Sequence, residues 1–301
     1  MLLLFACRQS SRDAILEHPA ITLLKVDQSV AFFEPTWSPD EMQLAVTGAR
    51  RCYTGRCPQT VYILDIGSGE YYSLTTSGSE SAPEWTSAPE IISFVKDGTI
   101  YTIGTDGNRL LPLTPGLLAS WSRDGRFVAV VRQNRETGLD SSFTYKVEVL
   151  DVKMGDERPI FETRPKTEQE DRITGLAWSP DSAQIAISAR LWTAQTYTDS
   201  VFVVNANGSD LRRVSTNATS VGWMPDGTWL YFLTYEKGGT QLSFAPLSFD
   251  CVLTPLELPE IRDPVIAPSG EQMAFVHYGN IYLLDLTWLF GTNSERLTCT
   301  N

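Results

Sequence analysis

The sequence predicts an all-β chain, a six-bladed β-propeller of four-stranded antiparallel blades. Three observations carry that prediction. A short phrase led by tryptophan recurs along the chain, as Trp37-Ser38-Pro39-Asp40 and Trp178-Ser179-Pro180-Asp181. Looser copies are Trp121-Ser122-Arg123-Asp124-Gly125 and Trp223-Met224-Pro225-Asp226-Gly227, and degenerate ones are Trp85-Thr86-Ser87 and Ile266-Ala267-Pro268-Ser269-Gly270. The lead positions fall 48, 36, 57, 45 and 43 residues apart, a period that belongs to radial or solenoid repeats. Finally, a strand-like apolar run begins seven residues after each lead.

Each unit then reads in the same order. The runs after the lead are Leu44-Ala45-Val46, Ile92-Ser93-Phe94, Val128-Ala129-Val130, Ile185-Ala186-Ile187, Leu230-Tyr231-Phe232 and Met273-Ala274-Phe275. A further run follows, such as Val61-Tyr62-Ile63-Leu64 in the first unit and Ile281-Tyr282-Leu283-Leu284 in the last. Next come a polar turn and a short run closing in Leu-Thr or a variant, as at Leu74-Thr75, Leu113-Thr114, Val214-Ser215 and Leu297-Thr298. With the strand that leads into the tryptophan, this makes four strands joined by hairpins. Proline, aspartate and glycine after the lead are turn chemistry: proline presets φ, aspartate accepts a local backbone bond, and glycine takes φ above zero. One such sheet leaves both faces bare. Six around an axis cover one another, with each lead tryptophan a plug between neighbours.

The pattern Trp-Ser-Pro-Asp-Gly, then Ile-Ala-Phe, Ile-Tyr-Val-Asp and Leu-Thr, resembles the propeller repeat of the TolB family, over roughly residues 31 to 299. The resemblance implies the propeller fold and an extracytoplasmic setting. TolB itself carries a separate domain before its propeller. Here about thirty residues precede the first blade.

Of 301 residues, 36 are acidic and 24 basic, for a net charge of −12. That balance argues against a general nucleic-acid binder. Residues 1–29 read as a truncated signal or lipoprotein-like leader and tether, and residues 30–301 as the propeller. Leu4-Phe5-Ala6-Cys7 approximates a lipobox and makes Cys7 the candidate lipidation site. An exported, periplasmic or lipid-anchored protein is the expectation. Ile21 to Val26 and Leu297 to Cys299 compete to supply the outer strand of the last blade, so the mode of ring closure stays open.

Four further cysteines remain. Cys52 and Cys57 bracket a hairpin insertion, while Cys251 and Cys299 fall near the outer strands of the last two blades. Disulfides Cys52–Cys57 and Cys251–Cys299 are the expected state. Free thiols are the alternative. A metal centre is not expected, because the spacing fits no zinc pattern, and persistent disulfides need an oxidising compartment.

The links between second and third strands are long in blade 1 (47–60), blade 3 (132–145) and blade 4 (188–199). They emerge on one face, and long loops on a rigid scaffold are where recognition concentrates. The candidate binding residues there are Arg50, Arg51, Tyr53, Arg56, Lys96, Arg132, Arg135, Arg190, Trp192, Tyr197 and His277. Arginine presents a planar donor fork suited to carboxylates and phosphates, so an acidic partner fits, and ordinary solvated loops with local ion pairs fit equally. A further insertion, 287–295, is expected to join the third and fourth strands of blade 6 on the opposite face, with Trp288-Leu289-Phe290 there a small packed core, or alternatively a contact patch.

No acyl-transfer elbow, phosphate-cradling loop or His-Glu-x-x-His motif occurs, and no cofactor or catalytic residue is assigned. The expectation is a non-catalytic envelope propeller that binds a protein, peptide or glycan. The alternative is a hydrolase or lyase acting on a polysaccharide or peptide through funnel acids. Glu34, Glu84 and Asp263, just before three of the leads, are the candidates.

Overall fold

The computed structural model describes residues 18–24, 29–50, 57–135, 143–163, 171–192, 195–236, 239–248, 251–256, 258 and 260–290. Six four-stranded antiparallel sheets follow one another around a ring. Blade 1 runs β2 (Val30–Trp37), β3 (Gln43–Arg50), β4 (Gln59–Asp65), β5 (Tyr71–Ser73); blade 2 runs β6 (Glu80–Trp85), β7 (Ile91–Lys96), β8 (Thr99–Gly104), β9 (Leu111–Pro115). Blade 3 is β10 (Leu118–Trp121), β11 (Phe127–Arg135), β12 (Phe143–Asp151) and β13 (Glu157–Glu162). Blade 4 is β14 (Arg172–Trp178), β15 (Gln184–Trp192), β16 (Tyr197–Asn205) and β17 (Arg212–Thr216). Blade 5 comprises β18 (Ala218–Trp223), β19 (Trp229–Glu236), β20 (Gly239–Pro246) and β21 (Leu253–Leu256). Blade 6 has β22 (Arg262–Ile266), β23 (Gln272–His277) and β24 (Asn280–Asp285), and β1 (Ile21–Leu23) supplies its outer strand.

Ring closure is therefore made by the early strand, with Ile21 opposite Leu284 and Leu23 opposite Tyr282. This changes the reading of the segment after β24. Because the fourth strand of blade 6 comes from β1, Thr287 onward joins no third strand to a fourth. It opens instead as the short helix α1 (Leu286–Phe290). Leu286 and Phe290 are buried in the core that blades 5 and 6 share with Ala20 and Ile21. Trp288 stays exposed, edge-on to His18 at 4.9 Å; residues 291–295 lie outside the described residues.

The seven-residue offset is a consequence of register. In every blade the lead residue sits opposite the residue seven positions on: Trp37 with Leu44, Trp85 with Ile92, Trp121 with Val128, Trp178 with Ile185, Trp223 with Leu230, Ile266 with Met273. A tight turn fills the gap. Within it Ser38 donates to Asp40 and accepts from the Gln43 amide, and Ser179 does the same with Asp181 and Gln184. The serine hydroxyl is the first cause holding the carboxyls of Asp40, Asp124 and Asp181 below the usual aspartate range. Their stabilising effect is present above the unfolded value and is lost as pH falls through the lower folded one.

The lead tryptophans bind the blades together by more than area. Trp37 donates its indole N–H to the Val265 carbonyl of the preceding blade (3.0 Å), Trp178 to Ser120 (2.8 Å) and Trp223 to Ala177 (3.0 Å). Each acceptor is the residue just before the lead of the blade behind. Trp121 departs from this rule and uses the Ser93 hydroxyl (2.8 Å). The Trp85 indole nitrogen is buried with no partner among the described residues. The two environments predict different costs. Trp178→Phe removes a buried bond and strands a carbonyl, a loss of about 1 to 3 kcal/mol. Trp85→Phe should cost clearly less in the same chemical-denaturation measurement, because no bond is broken.

In four of the blades the innermost strand carries a bulge three residues before the lead. Register slips between Phe33 and Thr36, Ser81 and Glu84, Thr219 and Gly222, and Arg262 and Val265. The residues at that place, Glu34, Ala82, Ser220 and Asp263, all take φ between 47° and 54°. A side chain in that conformation costs roughly 1 to 2 kcal/mol, so something must offset it. Two of the four are carboxylates that reach to the next blade. Asp263 accepts the Glu34 amide (3.2 Å), and Glu34 in turn accepts the Ala82 amide (2.8 Å) and the Thr47 hydroxyl (2.7 Å). The result is a relay of bonds from blade 6 through blade 1 to blade 2.

Candidate binding face

The turns between second and third strands open at one end of the ring, and a cavity of about 1030 Å³ opens there too. It lies toward blades 5, 6 and 1. Blade 5 contributes Thr219, Ser220, Tyr235 and Thr240; blade 6 contributes Glu260, Arg262, Asp263 and Tyr278. Blade 1 adds Ala31 and Phe33, and blade 4 adds Thr174. Tyr235 and Tyr278 are 45% and 40% exposed, which leaves ring surface open to a ligand.

The lining follows from local backbone. Tyr278 and Gly279 form the two-residue turn between β23 and β24, both with positive φ. Gly279 lies against blade 1, where an added Cβ would stand 3.0 Å from that of Ala31. Asp263 is held at the cavity by its bulge. Burial raises its carboxyl above the usual range; the Glu34 amide and the Arg262 charge pull it down, and the Glu34 charge pushes it up. Glu84, the third acid before a lead, does not line this cavity. It accepts the Trp121 amide (3.1 Å) and the Ser120 hydroxyl (3.3 Å) of blade 3, and burial pushes its carboxyl up to about 8.

The residues singled out from sequence spread around this face. Arg190 is engaged: it makes a bidentate pair with Asp199 (2.8 and 2.9 Å) and lies 4.1 Å over the Tyr197 ring. The Asp199 bond is the first cause raising its pKa. Trp192 packs edge-on to Tyr197 at 5.0 Å, and its amide donates to Asp171 (2.7 Å). Those three therefore form one blade 4 cluster. Arg132 is spent elsewhere, on Glu148 (2.5 Å), Glu157, the Thr114 hydroxyl and the Pro115 carbonyl, tying the outer strand of blade 2 to blade 3. Arg50 is exposed at the end of β3, and Lys96 is half-buried at the end of β7. His277 is fully buried, with Nδ1 3.3 Å from the Glu260 carbonyl and its ring 4.3 Å from Tyr278. Arg51, Tyr53, Arg56, Cys7, Cys52, Cys299 and the side chain of Arg135 lie outside the described residues. Of the described candidates above none lines the cavity; Tyr235, which the sequence also places on the loops of this face, does, and Tyr278 bridges from His277 to it. The lining residues Tyr278 and Arg262 carried no sequence signal, because one sits in a minimal hairpin and the other directly before a bulge.

No group of three or more His, Cys, Asp or Glu residues suited to a metal ion occurs among the described residues. None of their helices is long and apolar enough to cross a membrane.

No family model matches the chain. Solved structures of similar fold include a protein assigned as TolB from Agrobacterium tumefaciens, at 16% identity over 79% of this chain and 88% of that one, with a TM-score of 0.61. A gluconolactonase from Xanthomonas campestris matches at 14% identity over 88% of both chains, TM-score 0.61. An oligogalacturonate lyase from Vibrio parahaemolyticus matches at 14% over 89% of this chain and 79% of that one, TM-score 0.59. Binding and catalytic proteins thus share this scaffold, and identity this low speaks to fold alone. The repeat phrase, the six closed blades and these likenesses together make the chain a six-bladed β-propeller of TolB-like build.

Proposed function

We propose that this protein is a binding propeller of the cell envelope that takes a protein, peptide or glycan on the face where the links between second and third strands emerge. The observation that carries the reading is the open cavity on that face, with partly exposed tyrosines beside Arg262. Aromatic and arginine side chains dominate interface energetics, and the Arg190–Tyr197–Trp192 cluster extends the same chemistry outward over blade 4. Residues Arg50 and Lys96 would form the rim. The test is to immobilise the protein, capture partners from envelope extract and titrate each one. Tyr235→Ala or Trp192→Ala should weaken a true partner by about 1 to 3 kcal/mol. Captured partners that bind both variants as tightly as the wild type would move the site elsewhere.

Export belongs to the same proposal. Its support is that Cys57 and Cys251 each take part in a disulfide, in keeping with the pairs Cys52–Cys57 and Cys251–Cys299. Mass spectrometry of unreduced protein from an oxidising compartment should recover both cross-linked peptides; four alkylatable thiols would remove this support. Lipidation at Cys7 would appear as a mass increment on the peptide that begins there.

One observation favours a second reading, a hydrolase or lyase. Asp263 is an acid with a raised pKa at the cavity, and perturbed acids in clefts are candidates for proton transfer. Polymer cleavage that disappears in Asp263→Asn while the protein stays folded would replace the binding reading with this one.

A further inference from the structure

The charges around the cavity narrow its ligand. Arg262 and Glu260 are both exposed at its wall and offset one another. Asp263, next to Arg262, is pushed toward its neutral form by burial. Arg190 of blade 4 is already neutralised by Asp199 in a bidentate pair. Among the described lining residues a polyanion would meet one arginine and at least one carboxylate, which offset one another. A polycation would fare no better.

What the walls do offer is hydroxyl and aromatic surface. Ser220, Thr219 and Thr240 line the blade 5 side, and Thr174 reaches from blade 4 with its hydroxyl 3.3 Å from that of Thr219. A hydroxyl both donates and accepts, and so do the groups it matches best. Tyr235, Tyr278 and Phe33 stand around these polar groups. A ligand that satisfies both surfaces carries hydroxyls on its edges and C–H groups on its faces. The volume, near the upper end for small-molecule sites, admits more than a single small ring.

Resting on the binding reading above, we infer that the cavity takes a short, uncharged oligosaccharide, its ring faces against Tyr235 and Tyr278 and its hydroxyls against Thr219, Thr240 and Asp263. The Asp263 carboxyl can accept from a sugar hydroxyl in either protonation state. An acidic glycan, such as the substrate class named for the lyase of similar fold, is disfavoured by the same charge count.

The experiment is calorimetric titration with neutral tetrasaccharides of glucose, galactose, mannose and N-acetylglucosamine, alongside tetragalacturonate and an acidic peptide pool. At least one neutral tetrasaccharide should bind, with an affinity that hardly changes with salt, since no counter-charge is screened. The double variant Tyr235→Ala/Tyr278→Ala should weaken it about tenfold or more, the size expected for removing central aromatic contacts. Thr219→Val, nearly isosteric, should weaken it less while leaving the thermal midpoint unchanged. Preference for tetragalacturonate with strong salt dependence overturns the inference, as does a panel in which no neutral sugar binds. Peptide binding abolished by the tyrosine variants would also overturn it, yet leave the binding face standing. Sugar binding that the tyrosine variants leave untouched refutes the cavity as the site.

Discussion

Replacing Gly222 by alanine should cost about 1 to 3 kcal/mol of stability, as overpacking of a full core does. Gly222 sits on the innermost strand of blade 5, opposite Tyr231 of the next strand. A Cβ there would stand 2.2 Å from both Cζ and the hydroxyl oxygen of Tyr231. The ring has nowhere to retreat. It is 6% exposed, packed among Met224, Trp229, Leu233 and Ile266, and its hydroxyl faces the Ile266 amide of blade 6 at 3.4 Å. Burial has already pushed its phenol pKa up to about 12. Chemical denaturation of Gly222→Ala, Tyr231→Leu and the double variant closes a thermodynamic cycle. The double variant should be less destabilised than the two single changes added together, because the shortened side chain vacates the space the methyl needs. Simple additivity would locate the cost in the backbone instead.

Stability should also fall as pH rises from about 4.5 to about 8, and Glu84 should be the cause. Its carboxyl ordinarily titrates at 4.5 and is raised to about 8 in the fold. Below both values it is protonated in either state and contributes nothing to the slope. Between them the native state holds a proton that the unfolded chain has released, so stability declines with pH and levels off above 8. At about 1.4 kcal/mol per pKa unit, the full decline is on the order of 5 kcal/mol. Glu84→Gln retains an oxygen for the Trp121 amide and removes the charge. The variant should therefore outlast the wild type in denaturant at pH 9, and the gap should close by pH 4.5. A gap independent of pH would assign the titration to another group. The turn aspartates do not mimic the effect, since their lowered values act below the usual aspartate range and with the opposite sign.

How far the sequence foretold these features depends on the distance over which each is encoded. The lead phrase and the run seven residues later are two sides of one hairpin, so register is written into a dozen consecutive residues. The insertions were visible by their length. The cavity was not, because its walls come from minimal turns such as Tyr278-Gly279 and from residues beside bulges such as Arg262. Nothing local marks a bulge when glutamate, alanine, serine and aspartate all occupy it. The arginines misled for a related reason. Arg132 reads as a loop cation until β12 and β13 bring Glu148 and Glu157 across to it. Closure stayed open because Ile21 to Val26 and Leu297 to Cys299 have the same apolar character, and only pairing with β24 distinguishes them.

That closure ties the order of synthesis to the order of folding. β1 leaves the ribosome before any blade exists, and its partner β24 follows more than two hundred residues later. Until then, blade 6 lacks an outer edge and β1 has no sheet to join. Joining the ends of so long a loop costs little extra free energy, since that cost grows only with the logarithm of length. Its penalty is time, because distant pairings form slowly. The nascent chain therefore carries an unpaired, partly apolar strand through nearly all of its synthesis. The yield of closed rings then depends on keeping that strand free until β24 appears.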